Sequence, residues 1–189
     1  MYERLISLIG KENLKKIQNT NILIVGIGGV GGFALESLVR SGFQNITIID
    51  GDTIDKSNLN RQIITNNKNL GKLKGEEATK RYIDINDNLN LTVHNIYLTK
   101  ENFNTYINTN YDYIIDACDD IPIKIELMKY AQNKHIKVIS ALGTGKKLNP
   151  EYLKITTLDK TENDPFAKKL RNIARKENLS LKVPVVFSR

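Results

Sequence analysis

The chain has 189 residues, of which 40% are apolar and 26% charged, enough to enclose one hydrophobic core and unlike a linker or a disordered chain. Its net charge of +7 is uneven: residues 1–120 carry 13 basic and 15 acidic side chains, whereas residues 121–189 carry 15 and 6. The basic excess of the last third suits an anionic partner such as a nucleic acid, or a solvated lysine-rich surface.

A single cysteine, Cys118, excludes an internal disulfide and a C-x-x-C zinc pair. There is no run of about 18 apolar residues and no signal-peptide core at the N-terminus, so a reducing, cytoplasmic setting is expected and a membrane partner is not.

After a short leader, residues 21–26 (NILIVG) form a continuous apolar run ending in glycine, the pattern of a buried parallel strand. Residues 30–41 have helical spacing, with Gly42 as the stop, and residues 45–50 (NITIID) predict a second buried strand. The unit has the size of a right-handed strand–helix–strand crossover. Further on, the pattern predicts a helix over 73–85, strands over 91–97 and 111–117, a helix over 123–132 and a strand over 137–141. Beyond Gly145 it loosens, leaving a candidate strand at 153–158, a basic helix at 165–176 and a terminal apolar run at 183–187. Alternating strands and helices argue for an α/β, Rossmann-like, doubly wound and mostly parallel sheet with helices on both faces. With no repeat or linker, residues 1–189 read as a single domain.

Gly26-Ile-Gly28-Gly29-Val-Gly31 matches G-x-G-x-x-G and stands after a strand and before a helix, where the motif has mechanical meaning. Glycines allow a close approach to a pyrophosphate, and the helix start offers free N–H groups. Asp50 ends the next strand, where a carboxylate accepts from ribose hydroxyls. A dehydrogenase and an adenylating enzyme share these parts, so the loop alone leaves the nucleotide open.

Further polar groups bear on that choice. Asp52 follows Asp50, and Asn58-Leu-Asn60-Arg61-Gln62 is a polar cluster in which Arg61 can fork onto phosphate oxygens, although such a cluster is also an ordinary solvated turn. Lys74 begins a helix where phosphate would meet both its ammonium and the helix end. Asp116-Ala-Cys118-Asp119-Asp120 follows a strand at the edge where open parallel sheets bind ligands. There a carboxylate can hold magnesium, or can cap the next helix ahead of Pro122.

Taken in this order, GIGGVG at 26–31, the Asp50 and Asp52 pair, NRQ at 60–62, Lys74 and D-A-x-D at 116–119 resemble the ubiquitin-activating-like superfamily of ATP-dependent adenylating enzymes, which includes activators of sulfur carriers. The leader 2–10, residues 142–145 and 147–150, Lys160-Thr161, Asp164-Pro165 and the ending 185–188 extend the likeness to one branch, the family that cyclises threonylcarbamoyladenosine in tRNA.

The resemblance implies an ATP-consuming tRNA-modifying enzyme of the ligase type, acting as a homodimer on tRNA with magnesium. It implies that Gly26, Gly28, Gly29 and Gly31, with Asp50, Asp52, Asn60, Arg61, Gln62 and Lys74, bind the nucleotide. Arg61, Lys74 and Asp119 are then catalytic, Asp119 holds the metal, and Arg4 reaches ATP across the dimer. Members normally continue for several dozen residues past the last strand, so a C-terminal segment usual in that family is expected to be lacking. Adenylation of a sulfur carrier is the rival enzyme reading, weakened by the single cysteine, and a non-catalytic nucleotide-binding module is the other.

Overall fold

The computed structural model describes residues 1–108, 110–145 and 147–188. Its strands are β1 (Asn21–Val25), β2 (Asn45–Ile49), β3 (Asn90–His94), β4 (Tyr113–Asp116), β5 (Lys137–Ala141), β6 (Leu153–Thr157) and β7 (Pro184–Ser188). They form one sheet in the order β3-β2-β1-β4-β5-β7-β6. Every pairing is parallel except β6 with β7. Strand order reverses between β1 and β4, the switch point at which open α/β sheets bind ligands beyond the carboxyl ends of the strands.

The helices are α1 (Glu3–Ile9), α2 (Lys11–Gln18), α3 (Gly31–Arg40), α4 (Lys74–Ile83), α5 (Phe103–Tyr106), α6 (Ile121–Lys134) and α7 (Pro165–Lys176). The apolar run of β1 divides as a strand buried on both faces requires. Leu23 and Val25 join one core with residues of α6 and α7, while Ile22 and Ile24 join the other with residues of α3 and α4. Each such fully buried aliphatic side chain contributes roughly 1.5–3 kcal/mol.

Sequence spacing anticipates every strand of the sheet, with some boundaries moved for physical reasons. The strand expected over 91–97 leaves the ladder after His94, and residues 96–99 turn along a cavity instead. The helix expected from 123 starts at Ile121, because Asp120 accepts from the Ile123 amide and Pro122 stands in the first turn, where it needs no N–H partner. The leader holds two short helices. Among the described residues, no helix is long and apolar enough to cross a membrane.

Candidate active site

A cavity of about 890 Å³ opens at the carboxyl ends of β1, β2, β4 and β5. The four glycines of the first loop play different parts there. Gly26 has φ +85°, and an added Cβ would lie 2.9 Å from the Ala117 carbonyl oxygen. At Gly31, which does not line the cavity, a Cβ would lie 1.8 Å from the Gly26 oxygen, so both glycines are required by the turn itself. Gly28 and Gly29 line the cavity. A Cβ on Gly28 would meet only the Gln62 amide at 3.8 Å, so nothing in the fold demands glycine at this position. What a side chain would take away is open space before the start of α3, the end of a helix that suits an anion.

Asp50 lines the same space. Its carboxylate accepts from the Ile27 amide at 2.8 Å and the Asp52 amide at 2.9 Å, which ties the end of β2 to the glycine loop. Burial raises its carboxyl above the usual range, against the pull of those two amides and of the Lys74 charge.

Lys74 opens α4 and is 3% exposed. Its ammonium lies 2.5 Å from Asp52 and 3.9 Å from Asp50, and Asp52 also accepts from the Tyr97 hydroxyl at 2.9 Å. Partial burial pulls the Asp52 carboxyl up. The bonds from Lys74 and Tyr97, with the Lys74 charge, outweigh it and hold the carboxyl below its usual value.

The polar cluster is organised by a 3-10 turn at Lys56–Asn58, capped through Asp55. Arg61 lies over Gly29, whose added Cβ would be 3.4 Å from the arginine stem. Its guanidinium donates to the Ser57 carbonyl at 2.8 Å and the Asn60 side chain at 3.0 Å, and the side chain stays exposed at the cavity wall. Gln62 is buried against that wall, and its Oε1 has no partner among the described residues. Asn60 does not line the cavity and acts here as the acceptor for Arg61, whereas Asn58, two residues earlier, does line it.

The two candidate acids after β4 separate cleanly. Asp120 caps α6, and Asp119 lines the cavity, exposed, without a hydrogen bond to the described residues. Burial and the neighbouring Asp116 charge push the Cys118 thiol up, so it does not ionise readily as a nucleophile would. The far wall is built by residues 141–145 and Phe166.

Arg4 is exposed on α1, away from the cavity of its own chain. Sequence reading missed Tyr97, Phe166 and Lys124. Lys124 was detectable, because it shares a helical stripe with the apolar residues Ile121, Ile125 and Met128.

A switch-point cavity with a glycine cradle, a buried lysine between two carboxylates and a free acid after β4 defines an α/β nucleotide-binding protein of the adenylating type. The chain belongs to the ThiF family, whose pattern matches residues 2–153. It is similar to the tRNA threonylcarbamoyladenosine dehydratase of Bacillus subtilis (strain 168), with 37% identity over 180 residues that cover 95% of this chain and 71% of that protein.

The crystal structure of E. coli tRNA N6-threonylcarbamoyladenosine dehydratase in complex with ATP superposes with a TM-score of 0.93 at 34% identity, over 99% of this chain and 80% of that one. A lesser likeness joins the adenylyltransferase and sulfurtransferase UBA4 of Vanderwaltozyma polyspora, 39% identical over 137 residues, covering 72% of this chain and 31% of that protein.

Proposed function

We propose that this enzyme uses ATP to cyclise threonylcarbamoyladenosine in tRNA, with loss of water. The observation that carries the reading is likeness across nearly the whole chain, including the far cavity wall and α7, to a dehydratase structure that holds ATP. The threonyl carboxylate attacks the α-phosphorus and pyrophosphate leaves. A group already tethered within the substrate then closes on the activated carbonyl and AMP leaves. Because the attacking group is tethered, no protein nucleophile is needed, in accord with a cysteine that resists ionisation.

In this reading Gly26, Gly28, Gly29 and Gly31 shape the phosphate cradle, and Asp50 accepts from the ribose. Lys74, held at the cavity by Asp52, and Arg61 offset negative charge that develops on the phosphates. Gln62 offers an unpartnered buried oxygen to the nucleotide side of the wall, and Asn60 steadies Arg61.

Asp119 suits magnesium. Among the described residues no group of three or more His, Cys, Asp or Glu could hold a metal alone, and magnesium characteristically takes one or two carboxylates together with phosphates and water. Bound there, the ion would neutralise phosphate charge. Arg4 would complete the site from the second copy of a homodimer, since it does not line the cavity of its own chain. The exposed lysines and arginine of α7 would meet the tRNA backbone.

The decisive experiment incubates the protein with ATP, magnesium and tRNA carrying threonylcarbamoyladenosine, then analyses the nucleosides by mass spectrometry. Loss of one water with release of pyrophosphate is expected. ATP turnover only in the presence of a ubiquitin-like sulfur carrier would favour the rival reading, to which the UBA4 likeness lends its weight.

A further inference from the structure

The most deeply buried ion pair among the described residues plays no part in the proposed reaction. Lys124 on α6 and Asp116 at the end of β4 are 0% and 1% exposed, with 2.9 Å between charged atoms. The Lys124 ammonium also donates to the Ser140 hydroxyl at 3.2 Å and the Ala141 carbonyl at 2.8 Å. Ser140 in turn donates to the second Asp116 oxygen at 2.5 Å, and the Cys118 thiol donates to the first at 3.1 Å. The ammonium lies 5.9 Å from the centre of the Phe166 ring.

Lys124, Asp116 and Ser140 do not line the cavity, yet Ala117, Ile123 and Ala141, next to each in the chain, do.

Position in the sheet explains why a charge is useful here. The last register pair between β4 and β5 is Asp116 with Ser140. Past it one strand runs into the turn that carries Asp119 and the other into the wall at 142–145. Among the described residues no ladder bond joins β4 to β5 beyond that pair. Lys124 bridges the split, and its three donors are directed at acceptors on both strands. An apolar side chain of equal volume would fill the space without directing either strand, and apolar replacement of buried ion pairs is often neutral or stabilising. Filling the core therefore does not account for these charges, whereas fixing the relative placement of two cavity walls does.

We infer that Lys124 is a positioning residue for the activation step: through Asp116, Ser140 and the Ala141 carbonyl it sets the Asp119 turn against the 142–145 wall, and so aligns the carboxylate substrate with the nucleotide. This rests on the proposed reaction, with the phosphates on the Asp119 side and the 142–145 wall taken here as the side that receives the second substrate. The glycine loop, Asp50 and Lys74 stand on other elements, and no hydrogen bond of the network reaches them. Loss of Lys124 should therefore lower kcat by about a hundredfold, the effect of a misalignment near 1 Å, and change KM for ATP by less than about threefold.

The test is the triple variant Asp116→Leu, Lys124→Met, Ser140→Ala, which removes the network without leaving a buried charge alone. Thermal melting, KM for ATP, kcat on threonylcarbamoyl tRNA and amide hydrogen exchange are measured beside the wild type. The expected result is a folded protein with near wild-type melting, retained KM, lost kcat and faster exchange at 117–120 and 142–145. Wild-type kcat, or unchanged exchange in those segments, overturns the inference. If the triple variant does not fold, Lys124→Gln, which keeps one donor without the charge, is judged by the same criteria. A wild type inactive on tRNA would overturn the proposed substrate, and exchange in the variant would still decide the positioning role.

Discussion

The ammonium of Lys74 rests 2.5 Å from the carboxylate of Asp52 in a pocket that leaves the lysine side chain 4% exposed. The cation is thus already paired before any phosphate arrives, and Asp50 stands 3.9 Å away on its other side. Two carboxylates and one ammonium leave this corner net negative, so in the proposed reaction a triphosphate would be admitted only if Lys74 turned toward it or shared its donors. Lys74→Met keeps the length and removes the charge. ATP affinity should fall about 10- to 100-fold, the span of one hydrogen bond to a charged group, and turnover should be lost. Lys74→Arg should not rescue, because a planar fork does not fit a slot made for a compact ammonium. Calorimetric titration with ATP beside turnover checks both; full affinity in Lys74→Met would remove the lysine from the phosphate site.

The glycine loop offers a separation of folding from binding. Gly31→Ala places a methyl group 1.8 Å from the Gly26 oxygen, a backbone atom that cannot move aside, and should cost about 3 kcal/mol of stability. Gly28→Ala meets nothing closer than 3.8 Å and should melt like the wild type while losing at least about tenfold in ATP affinity through crowding of the phosphate path. Equal loss of affinity and melting temperature in both variants would mean that the loop is only a turn.

Asp119 and Asp120 should show the opposite division. Asp120 accepts from the Ile123 amide at 2.8 Å, so Asp120→Ala should lower stability by about 1 kcal/mol and leave most of the turnover. Asp119 has no such bond, so Asp119→Ala should leave melting unchanged and abolish magnesium-dependent turnover. Melting curves and magnesium titrations of the two proteins decide the assignment, and retained activity in Asp119→Ala would refute the metal role.

These contrasts mark how far the sequence could be read. Apolar runs such as 21–25 and 45–49 announce buried strands because the sheet is covered on both faces, and the order of motifs announces the cavity at their ends. Which of two adjacent acids caps a helix was not legible, since both satisfy the same local pattern and only backbone direction distinguishes them. Tyr97 was hidden for a different reason: its partner Asp52 is 45 residues away, and an exposed tyrosine in the turn after β3 carries no periodic signal. Lys124 lay in an apolar stripe, where a lysine is usually discounted as surface.

Asp50 should set the acid limit of nucleotide binding. Burial raises its carboxyl while Asp52 is held low, so on acidification Asp50 takes up its proton first. The folded protein then binds that proton more tightly than the unfolded chain does. The stability associated with Asp50 is therefore full below its unfolded value and is lost as pH rises through the folded one. Asp52 behaves oppositely, its contribution being present above the unfolded value and lost as pH falls through the folded one. ATP binding should consequently weaken at a higher pH than an unburied aspartate would set, while the fold persists. Asp50→Asn should flatten that limb, and an unaltered pH profile in this variant would exclude Asp50 as the titrating group.

The basic helix α7 is amphipathic, and its charges are not equivalent. Ala167, Leu170 and Ala174 are buried, whereas Lys168, Lys169, Arg175 and Lys176 are exposed, within an arc of roughly 120° at helical spacing. Arg171 is half-buried and donates to the Thr161 carbonyl at 2.9 Å as well as to the Thr161 hydroxyl, so it ties the helix to the preceding turn. Phe166, in the first turn of the same helix, lines the cavity. Neutralising a phosphate releases counterions, and each phosphate left without its cation lowers the dependence of log K on log salt by about 0.7 to 0.9. Lys168→Ala with Lys169→Ala should weaken tRNA binding uniformly and reduce the salt slope by about 1.5, while ATP affinity stays unchanged. Arg171→Ala should lower the melting temperature and leave the salt slope near the wild-type value. Filter binding of tRNA across a salt series, beside ATP titration and melting curves, measures all three quantities, and an identical slope in the lysine double variant would move the RNA-binding surface away from this helix.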